Sequence, residues 1–252
     1  MKPRHLAILE LLNQDETLAV NALARRLSVS SVTIRKDLDA LEARGLLRRQ
    51  HGQAVRVSHD DIGYHMIFEY DLKQRIAERA CEMISHGEAV MIESGSTCAM
   101  LAREIAKNKR DVTIITNSAF IGGHVRMIPG VRVILLGGFY DPEGQLTTGP
   151  LVRKCAEQFS VDKFFIGTEG YDPARGFFNS DMACVEAMHS MGEHASKRII
   201  LTTSQKFNRR GNVFMLPDQN VHALVTDSIP DNCRESLEGN GVEIILARQE
   251  GE

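Results

Sequence analysis

The sequence lacks the features that mark membrane proteins and secreted proteins. No apolar run approaches the ~20 residues that a membrane-spanning helix needs. The N-terminal segment MKPRHLAILELLNQDE is an amphipathic pattern broken by acids, with neither the apolar core of a signal peptide nor a small-residue cleavage site. We therefore expect a cytoplasmic protein with no membrane partner.

Cysteines and histidines are scattered along the chain. The five cysteines are odd in number and form no CxxC pair, which argues against a disulfide framework and against a zinc site. No two of the nine histidines have metal-ligand spacing beside a cysteine or a carboxylate. We expect free thiols in a reducing compartment, no metal and no cofactor.

The composition is ordinary, but the charge is unevenly distributed. A chain of 252 residues with 43% hydrophobic and 25% charged residues favours two globular domains. Up to Val57 there are ten lysines and arginines against six acids, a local charge of +4, whereas the whole chain carries −3. A basic segment attached to an acidic remainder favours an N-terminal module that binds phosphate groups.

One stretch near the N-terminus is the most informative part of the sequence. Apolar residues recur at helical spacing over 20–27 and again over 34–41, on either side of a tight connection at 28–30. Ser30 is a suitable N-cap for the second helix. The segment LLRRQHG at 46–52 then predicts a short strand and a turn that carry cations. Two short helices followed by a basic hairpin are typical of a winged helix-turn-helix, which binds DNA.

The polar face of this stretch supplies the candidate DNA contacts. In helix-turn-helix proteins the first residues of the second helix reach base edges, whereas hydroxyls and helix N-termini contact phosphates. The candidates are the hydroxyls and cations of the second helix and of the hairpin: Ser30, Ser31, Thr33, Arg35, Lys36, Arg48, Arg49 and His51. The alternative is that these cations form a solvated face of a helical core, but the local excess of positive charge favours DNA.

From Glu88 the pattern changes to short apolar runs that alternate with amphipathic helices. The expected buried strands are 89–93, 112–116, 131–137, 163–167, 198–203, 222–227 and 242–247. This alternation predicts an α/β domain with a mostly parallel sheet covered on both faces. We place the winged helix-turn-helix at 1–57, a linker at 58–71 and the α/β domain at 72–252.

Polar loops follow several of the predicted strands. Open α/β sheets bind ligands at the carboxyl ends of their strands, and a loop of glycine and hydroxyl residues that opens a helix favours an anion. Each loop by itself is explained as well by turns, caps or solvated charge. Their shared position predicts a site for an anionic small molecule such as a phosphorylated sugar or polyol. Its candidate residues are Ser94, Gly95, Ser96, Thr97, Asn117, Ser118, Gly138, Glu169, Asp172 and Lys206.

These motifs resemble the DeoR family of bacterial transcriptional regulators over nearly the whole chain. The segment SVSSVTIRKDLDALEARGLLRRQHGQA is similar to the family signature VSxxTIRRDLxxLExxGxxxRxHGGA. The second domain resembles the family's sensor domain in LKQRIAERA, IESGST, TNS, LLGG, GTEGYD and SQKF. The resemblance implies a Rossmann-like fold, similar to ribose-5-phosphate isomerase. It also implies an effector pocket lined by Ser96, Thr97, Asn117, Glu169 and Lys206.

Four positions depart from the family pattern. Gln53 stands where the wing usually has glycine, and Glu93 and Glu169 stand where aspartate is common. Thr203 replaces the aspartate of the family sequence DSSKF, so a carboxylate is missing close to Lys206 in the sequence. Such a change is compatible with an effector of more negative charge or of different stereochemistry.

The function we expect is that of a sequence-specific transcriptional regulator, a repressor of a carbohydrate-metabolism operon. It would bind double-stranded operator DNA as a homodimer or homotetramer under the control of a phosphorylated metabolite. The alternative is an enzyme, a sugar-phosphate isomerase or transferase in which Glu169 and Lys206 act as base and electrophile. The complete basic module and the missing acid at Thr203 argue against the enzyme.

Overall fold

The computed structural model describes residues 2–43, 46–56 and 62–247. The chain divides into two compact units, and the division falls between Phe68 and Glu69. Of the linker expected at 58–71, residues 58–61 lie outside the described part of the chain. Among the described residues, no helix is both long and apolar enough to cross a membrane.

The first unit is a helix-turn-helix followed by a two-stranded wing. Its elements are α1 (Pro3–Asp15), β1 (Thr17–Ala19), α2 (Val20–Arg26), α3 (Ser31–Glu42), β2 (Leu47–Gln50), β3 (Gln53–Arg56) and α4 (Ile62–His65). The wing strands β2 and β3 pair antiparallel, and β1 pairs antiparallel with the other edge of β3. The predicted winged helix-turn-helix is confirmed.

One hydrophobic core holds these helices and the wing together. Its buried side chains include Ile8, Leu9, Leu12, Leu23, Ile34, Leu38, Leu41 and Leu47. The buried carboxylate of Asp37 on α3 accepts a hydrogen bond from Arg4 Nη2 at 3.1 Å and lies 3.0 Å from His5 Nε2, both on α1. These contacts fix the rotation of α3 and therefore the face that α3 presents to solvent.

The segment after the wing packs on the same core. Tyr64 of α4 is buried, and its hydroxyl donates a hydrogen bond to the carbonyl oxygen of Leu9 at 2.9 Å. Ile67 and Phe68 pack against the same cluster. Residues 62–68 therefore belong to the first unit by their packing, whereas the sequence places them in a linker. Their burial explains the aromatic residues of this segment.

The second unit is an α/β domain. Its helices are α5 (Tyr70–Glu82), α6 (Ser96–Asn108), α7 (Ala119–Val125), α8 (Pro150–Ala156), α9 (Met182–Gly192) and α10 (Asp231–Gly239). Its strands are β4 (Ala89–Ile92), β5 (Val112–Thr116), β6 (Val131–Leu135), β7 (Phe139–Asp141), β8 (Leu146–Thr148), β9 (Val161–Gly167), β10 (Gly170–Asp172), β11 (Gly176–Asn179), β12 (Ala195–Leu201), β13 (Val213–Leu216), β14 (Ala223–Thr226) and β15 (Glu243–Leu246). A short 3-10 turn, Ser204–Lys206, follows β12.

Seven of these strands form one parallel sheet in the order β15-β14-β12-β9-β4-β5-β6. They are the seven strands expected from the apolar runs. The central strands are apolar without alternation because helices cover both faces, as in 90–92 and 164–166, where each residue is fully buried. The predicted parallel α/β domain is confirmed.

The order of the strands places a switch point in the middle of the sheet. The chain builds outward from β4 through β5 to β6, then returns to the other side of β4 with β9 and continues to β12, β14 and β15. The direction of winding therefore reverses between β4 and β9. In sheets of this kind, ligands bind in a crevice at the switch point. The loops that follow the two strands there lie on either side of this crevice.

The remaining five strands are not predicted by the sequence. β10, β11 and β13 form a small antiparallel sheet, and β7 and β8 form a hairpin. Each has only three or four residues. In β11 the consecutive residues Phe177 and Phe178 are both buried, so no apolar-polar alternation marks the strand.

Candidate DNA-binding surface and effector site

Helix α3 is capped and oriented by its own sequence. The hydroxyl of Ser30 accepts a hydrogen bond from the backbone N–H of Thr33 at 3.1 Å, and its oxygen lies 2.9 Å from Thr33 Oγ1. Ile34, Leu38 and Leu41 are fully buried on the inner face of the helix. The predicted N-cap is therefore present, and the first turn of α3 has a fixed geometry.

The outer face of α3 combines hydroxyls, two cations and one apolar residue. Arg35 and Lys36 are exposed, and Ser31 is half-buried. Val32 is 58% exposed although it is apolar and belongs to the first turn of the helix. Val32 is not among the predicted DNA contacts. An apolar residue that interrupts the polar face of the helix is the feature of the sequence that could have indicated it. An exposed methyl group there has the chemistry that contacts the methyl group of thymine.

The wing places its three candidate residues in different surroundings. Arg48 and His51 are exposed. Arg49 forms an ion pair with Asp39 of α3, and its backbone N–H donates a hydrogen bond to Glu42 Oε1 at 2.8 Å. Arg49 therefore ties the wing to α3, whereas Arg48 and His51 are the more accessible to a partner.

In the second unit the candidate residues follow five adjacent strands of the sheet. Residues 94–97 follow β4, Asn117 and Ser118 follow β5, and Gly138 follows β6. Glu169 follows β9, and Lys206 lies in the 3-10 turn that follows β12. Because these strands are parallel, all five loops lie at the same edge of the sheet, on both sides of the switch point.

A buried carboxylate joins the two loops at the switch point. Glu93 Oε2 accepts hydrogen bonds from the backbone N–H groups of Gly95 at 2.9 Å and Gly167 at 3.2 Å, and Glu93 Oε1 accepts one from Ser94 Oγ at 2.9 Å. A Cβ atom on Gly95 would lie 3.2 Å from Glu93 Oε2, and one on Gly167 would lie 3.3 Å from it.

Glu93 thus uses donors that the sequence reasoning reserved for a ligand. Burial raises the pKa of Glu93 above its usual value, while the hydrogen bonds from Ser94, Gly95 and Gly167 act in the opposite direction. The loop after β4 is already occupied by an acid of the protein itself. Ser96 and Thr97, which open α6, are the candidates on this loop that Glu93 does not engage through a hydrogen bond.

The loop after β5 contains a buried acceptor that has no partner. Asn117 is 2% exposed, and its Nδ2 donates a hydrogen bond to the carbonyl oxygen of Thr147 at 3.0 Å. Its Oδ1 atom has no hydrogen-bond partner among the described residues. A buried acceptor left unsatisfied costs about 1–3 kcal/mol. The neighbouring Ser118 caps α7, since its Oγ accepts from the N–H of Ile121 at 3.2 Å.

The other candidates differ in how they are held. A Cβ atom on Gly138 would lie 2.6 Å from the carbonyl oxygen of Thr148, so the glycine is required by the close approach of β8. Glu169 is exposed. Asp172 lies on the small antiparallel sheet, where it forms an ion pair with Arg210 and accepts a hydrogen bond from the N–H of Ala174 at 2.9 Å. Asp172 therefore belongs to the small antiparallel sheet, whereas the other candidates follow strands of the parallel sheet.

A charged cluster lies at the loop after β12. Thr203 is buried, and its hydroxyl donates a hydrogen bond to Glu69 Oε2 at 2.8 Å. Lys73, one turn into α5, is 6% exposed. Burial lowers the pKa of Lys73 to about 8; the carboxylate of Glu69 opposes this shift, and the charge of Lys206 adds to it. The sequence reasoning included Lys206 but missed Glu69 and Lys73.

All five cysteines are free. Burial raises the pKa of Cys81 to about 11 and that of Cys98 well above its usual value, so these thiols stay protonated at neutral pH. Among the described residues, no group of three histidine, cysteine or acidic side chains could hold a metal ion.

Comparisons with known proteins place both units in one family. The family model described as the DeoR C terminal sensor domain matches residues 69–228, and the model described as the DeoR-like helix-turn-helix domain matches residues 4–60. The chain is 30% identical over 251 residues to the HTH-type transcriptional regulator GlpR of Haloferax volcanii, with 96% of each chain covered. It is 29% identical over 230 residues to the transcriptional repressor AccR of Agrobacterium fabrum, with 89% of each covered.

The chain belongs to the DeoR family of transcriptional regulators. The two relatives are named as a transcriptional repressor and a transcriptional regulator. Among solved structures, it is similar to ribose 5 phosphate isomerase A from Neisseria gonorrhoeae, with 16% identity and a TM-score of 0.42 over 56% of this chain and 54% of that chain. A likeness of this size carries no conclusion about function.

Proposed function

We propose that the chain represses a carbohydrate-metabolism operon by binding operator DNA through α3 and the wing, and that a phosphorylated sugar or related metabolite controls this binding. The chain would act in the cytoplasm. The observation that carries the DNA-binding part is the outer face of α3. Its exposed Val32, Arg35 and Lys36 stand opposite a fully buried apolar face. A helix held in this way presents its first turns to the major groove.

In this proposal some candidate residues contact the DNA and others hold α3 and the wing in place. Arg35 and Lys36 bind bases and phosphates, and Ser31 donates to a phosphate or a base edge. Arg48 and His51 hold the wing to the DNA backbone. Ser30 and Thr33 bond to each other in the cap, and Arg49 is paired with Asp39, so these three act mainly by fixing α3 and the wing.

The test of DNA binding compares two arginine variants of the full chain. Arg35→Ala should weaken binding to a specific operator fragment at least tenfold, the scale of one lost bidentate base contact of about 1–3 kcal/mol. Arg110→Ala removes the same charge from an exposed position of the second unit and should leave affinity unchanged. Fluorescence anisotropy with labelled fragments measures both. An equal loss of operator affinity in the two variants would mean that Arg35 contributes only through its charge and makes no specific contact with DNA.

The effector part of the proposal is supported by the buried Oδ1 of Asn117. This acceptor lies at the carboxyl edge of the parallel sheet and has no partner among the described residues. A hydroxyl of a sugar or polyol would satisfy it and would gain the hydrogen bond that the isolated chain leaves unmade. Residues 96–97 open α6, which follows the neighbouring strand β4, and Lys206 follows β12, two strands further along the same edge.

The corresponding test is the substitution Asn117→Leu, which keeps the size of the side chain and removes its acceptor. We expect the DNA complex of this variant to need at least tenfold more effector for the same response, while DNA affinity without effector stays unchanged. Asn220→Leu, at an exposed turn, is the matched control. An unchanged effector response in Asn117→Leu would remove Asn117 from the site.

The chain would bind its operator as a homodimer or homotetramer. Of the candidate DNA contacts on one described winged helix-turn-helix, three are exposed cations (Arg35, Lys36 and Arg48), so two half-sites are needed for tight and specific binding. Control by the effector requires that it bind more tightly to one arrangement of the protein than to the other, because equal affinity for both shifts nothing.

A further inference from the structure

The cluster after β12 joins four side chains from two parts of the second unit. Glu69 is the N-cap residue of α5, Lys73 lies one turn into that helix, and Thr203 and Lys206 lie in the loop after β12. Glu69 Oε2 accepts a hydrogen bond from Thr203 Oγ1 at 2.8 Å across 134 positions of sequence. A carboxylate is thus held by a buried hydroxyl near two lysines.

The charges of this cluster favour an anion. Lys73 is 6% exposed, and Lys206 is close enough to lower its pKa further. A buried ammonium group is stabilised only by an anion or by hydrogen-bond acceptors, and Glu69 is the acid that raises the pKa of Lys73 against the effect of burial. Glu69 therefore supplies the negative charge that the buried Lys73 requires.

The loop that carries Thr203 and Lys206 is fixed independently of Glu69. Asp227, at the end of the neighbouring strand β14, accepts hydrogen bonds from the N–H and from the Oγ of Ser204, both at 2.7 Å. The N–H of Lys206 donates to the carbonyl oxygen of Thr203 at 3.0 Å. Removal of the Glu69 carboxylate would leave this half of the cluster in place, ready for another anion.

The loop after β4 is less suited to a negatively charged group. Glu93 already fills the space between that loop and the loop after β9, and it accepts hydrogen bonds from three of their donors. A second anion against Glu93 would meet a buried acid. At the cluster after β12 the nearby acids are Glu69, whose charge acts on Lys73, and Asp227, whose two carboxylate oxygens are already bonded to Ser204.

We propose that the carboxylate of Glu69 occupies the subsite for the anionic group of the effector, formed by Lys73, Thr203 and Lys206, and that the effector must displace it. A phosphate monoester carries up to two charges and three strong acceptors, against one charge on the carboxylate, so it can replace Glu69 at the same donors. This inference rests on the proposed control by a phosphorylated metabolite.

Displacement of Glu69 would act at a sensitive position of the chain. Glu69 has φ 55, a left-handed conformation that a residue with a side chain adopts at a cost. It directly follows Phe68, which packs on the core of the DNA-binding unit. Release of the side chain from Thr203 would remove the hydrogen bond that ties this residue to the loop after β12.

The test measures binding of inorganic phosphate to the full chain by titration calorimetry at neutral pH. Glu69→Gln removes the resident charge and keeps the length of the side chain, and we expect phosphate to bind about tenfold more tightly. Asp71→Asn is the matched control, because it removes an exposed acid from the first turn of the same helix. We expect it to change phosphate affinity by less than about twofold. Equal or weaker binding to Glu69→Gln would overturn the proposal.

A second substitution checks the subsite without changing Glu69. Lys206→Met should lower phosphate affinity about tenfold in the Glu69→Gln background. Unchanged affinity would show that phosphate binds elsewhere and would also overturn the proposal. The wider proposal fails separately: if no phosphorylated sugar alters the DNA complex of the wild type, effector control is wrong whatever Glu69→Gln binds.

Discussion

Glu93 and Asn117 are two buried polar side chains at the carboxyl edge of the parallel sheet in the sensor unit. The carboxylate of Glu93 is buried between the loops after β4 and β9 and satisfies donors from both. Asn117, one strand away, is buried with an acceptor that nothing in the described chain satisfies. Glu93 therefore joins the loop after β4 to the end of β9, whereas Asn117 keeps an acceptor without a partner among the described residues.

Glu93 should make folding stability depend on pH. Burial raises its pKa above the usual 4.5, so between pH 4.5 and the raised pKa the folded state retains a proton that the unfolded state has lost. The contribution of Glu93 to the free energy of unfolding is therefore present below pH 4.5 and is lost as the pH rises through the raised value. We expect Glu93→Gln to lack this decline in urea unfolding curves.

The control for this experiment is Glu235→Gln on α10, which removes an exposed acid. It should follow the wild type at every pH. If Glu93→Gln and the wild type show the same slope above pH 4.5, the carboxyl group of Glu93 does not carry the raised pKa.

Val32 should read thymine in the operator. Its side chain is 58% exposed on the first turn of α3, where apolar groups contact the methyl group of thymine. Replacing the contacted thymine with deoxyuridine should weaken wild-type binding about fourfold, the value of one buried methyl group. Val32→Ala should bind the two operators nearly equally. An equal loss for wild type and Val32→Ala would show that Val32 does not contact that base.

The helices and strands show which parts of the structure a sequence can reveal. The apolar stripes of α2 and α3 and the seven apolar runs of the parallel sheet are local patterns, so the sequence predicts them. The strands β10, β11 and β13 are too short to show a clear pattern of apolar and polar residues. In β11 the pattern is also absent because both faces of the strand are buried. Their pairing depends on the fold around them.

The position of the candidate effector site can be predicted from the sequence, but the contacts between its residues cannot. The topology alone places the loops after the parallel strands at one edge, and most candidate residues lie there. The contact between Glu69 and Thr203 spans 134 positions, and the pairing of Arg49 with Asp39 depends on the docking of the wing. No local pattern encodes such contacts. Asp172 follows Glu169 closely in the sequence, but it is the last residue of β10 in the small antiparallel sheet.

Helix α3 offers a test that separates capping from DNA contact at Ser30. The hydroxyl of Ser30 satisfies the N–H of Thr33, so Ser30→Ala should destabilise the first unit by about 1 kcal/mol. Ser30→Asp keeps an acceptor at the cap and should restore the stability, but its charge should repel nearby phosphates and weaken DNA binding. Hydrogen exchange of the α3 amides and anisotropy measure the two effects. Full DNA affinity in Ser30→Asp would place Ser30 away from the DNA backbone.

For the whole chain, the dependence of DNA affinity on salt reports the number of subunits on the operator. Arg35, Lys36 and Arg48 are the exposed candidate cations of one described winged helix-turn-helix. Three phosphate contacts would lower affinity about fortyfold between 50 and 200 mM salt, whereas six contacts from a dimer would lower it about a thousandfold. We expect the larger change. A fortyfold change would indicate that a single chain binds the DNA.

Control of operator binding by a phosphorylated metabolite should be tested by titrating the complex of the full-length protein and its own upstream DNA with a panel of sugar phosphates, followed by anisotropy. We predict specific binding at low salt and a change in affinity caused by one sugar phosphate and not by its dephosphorylated form. Specific binding that no phosphorylated compound alters would contradict control by a phosphorylated metabolite. Absence of specific binding would contradict the proposal that the chain binds this DNA as its operator.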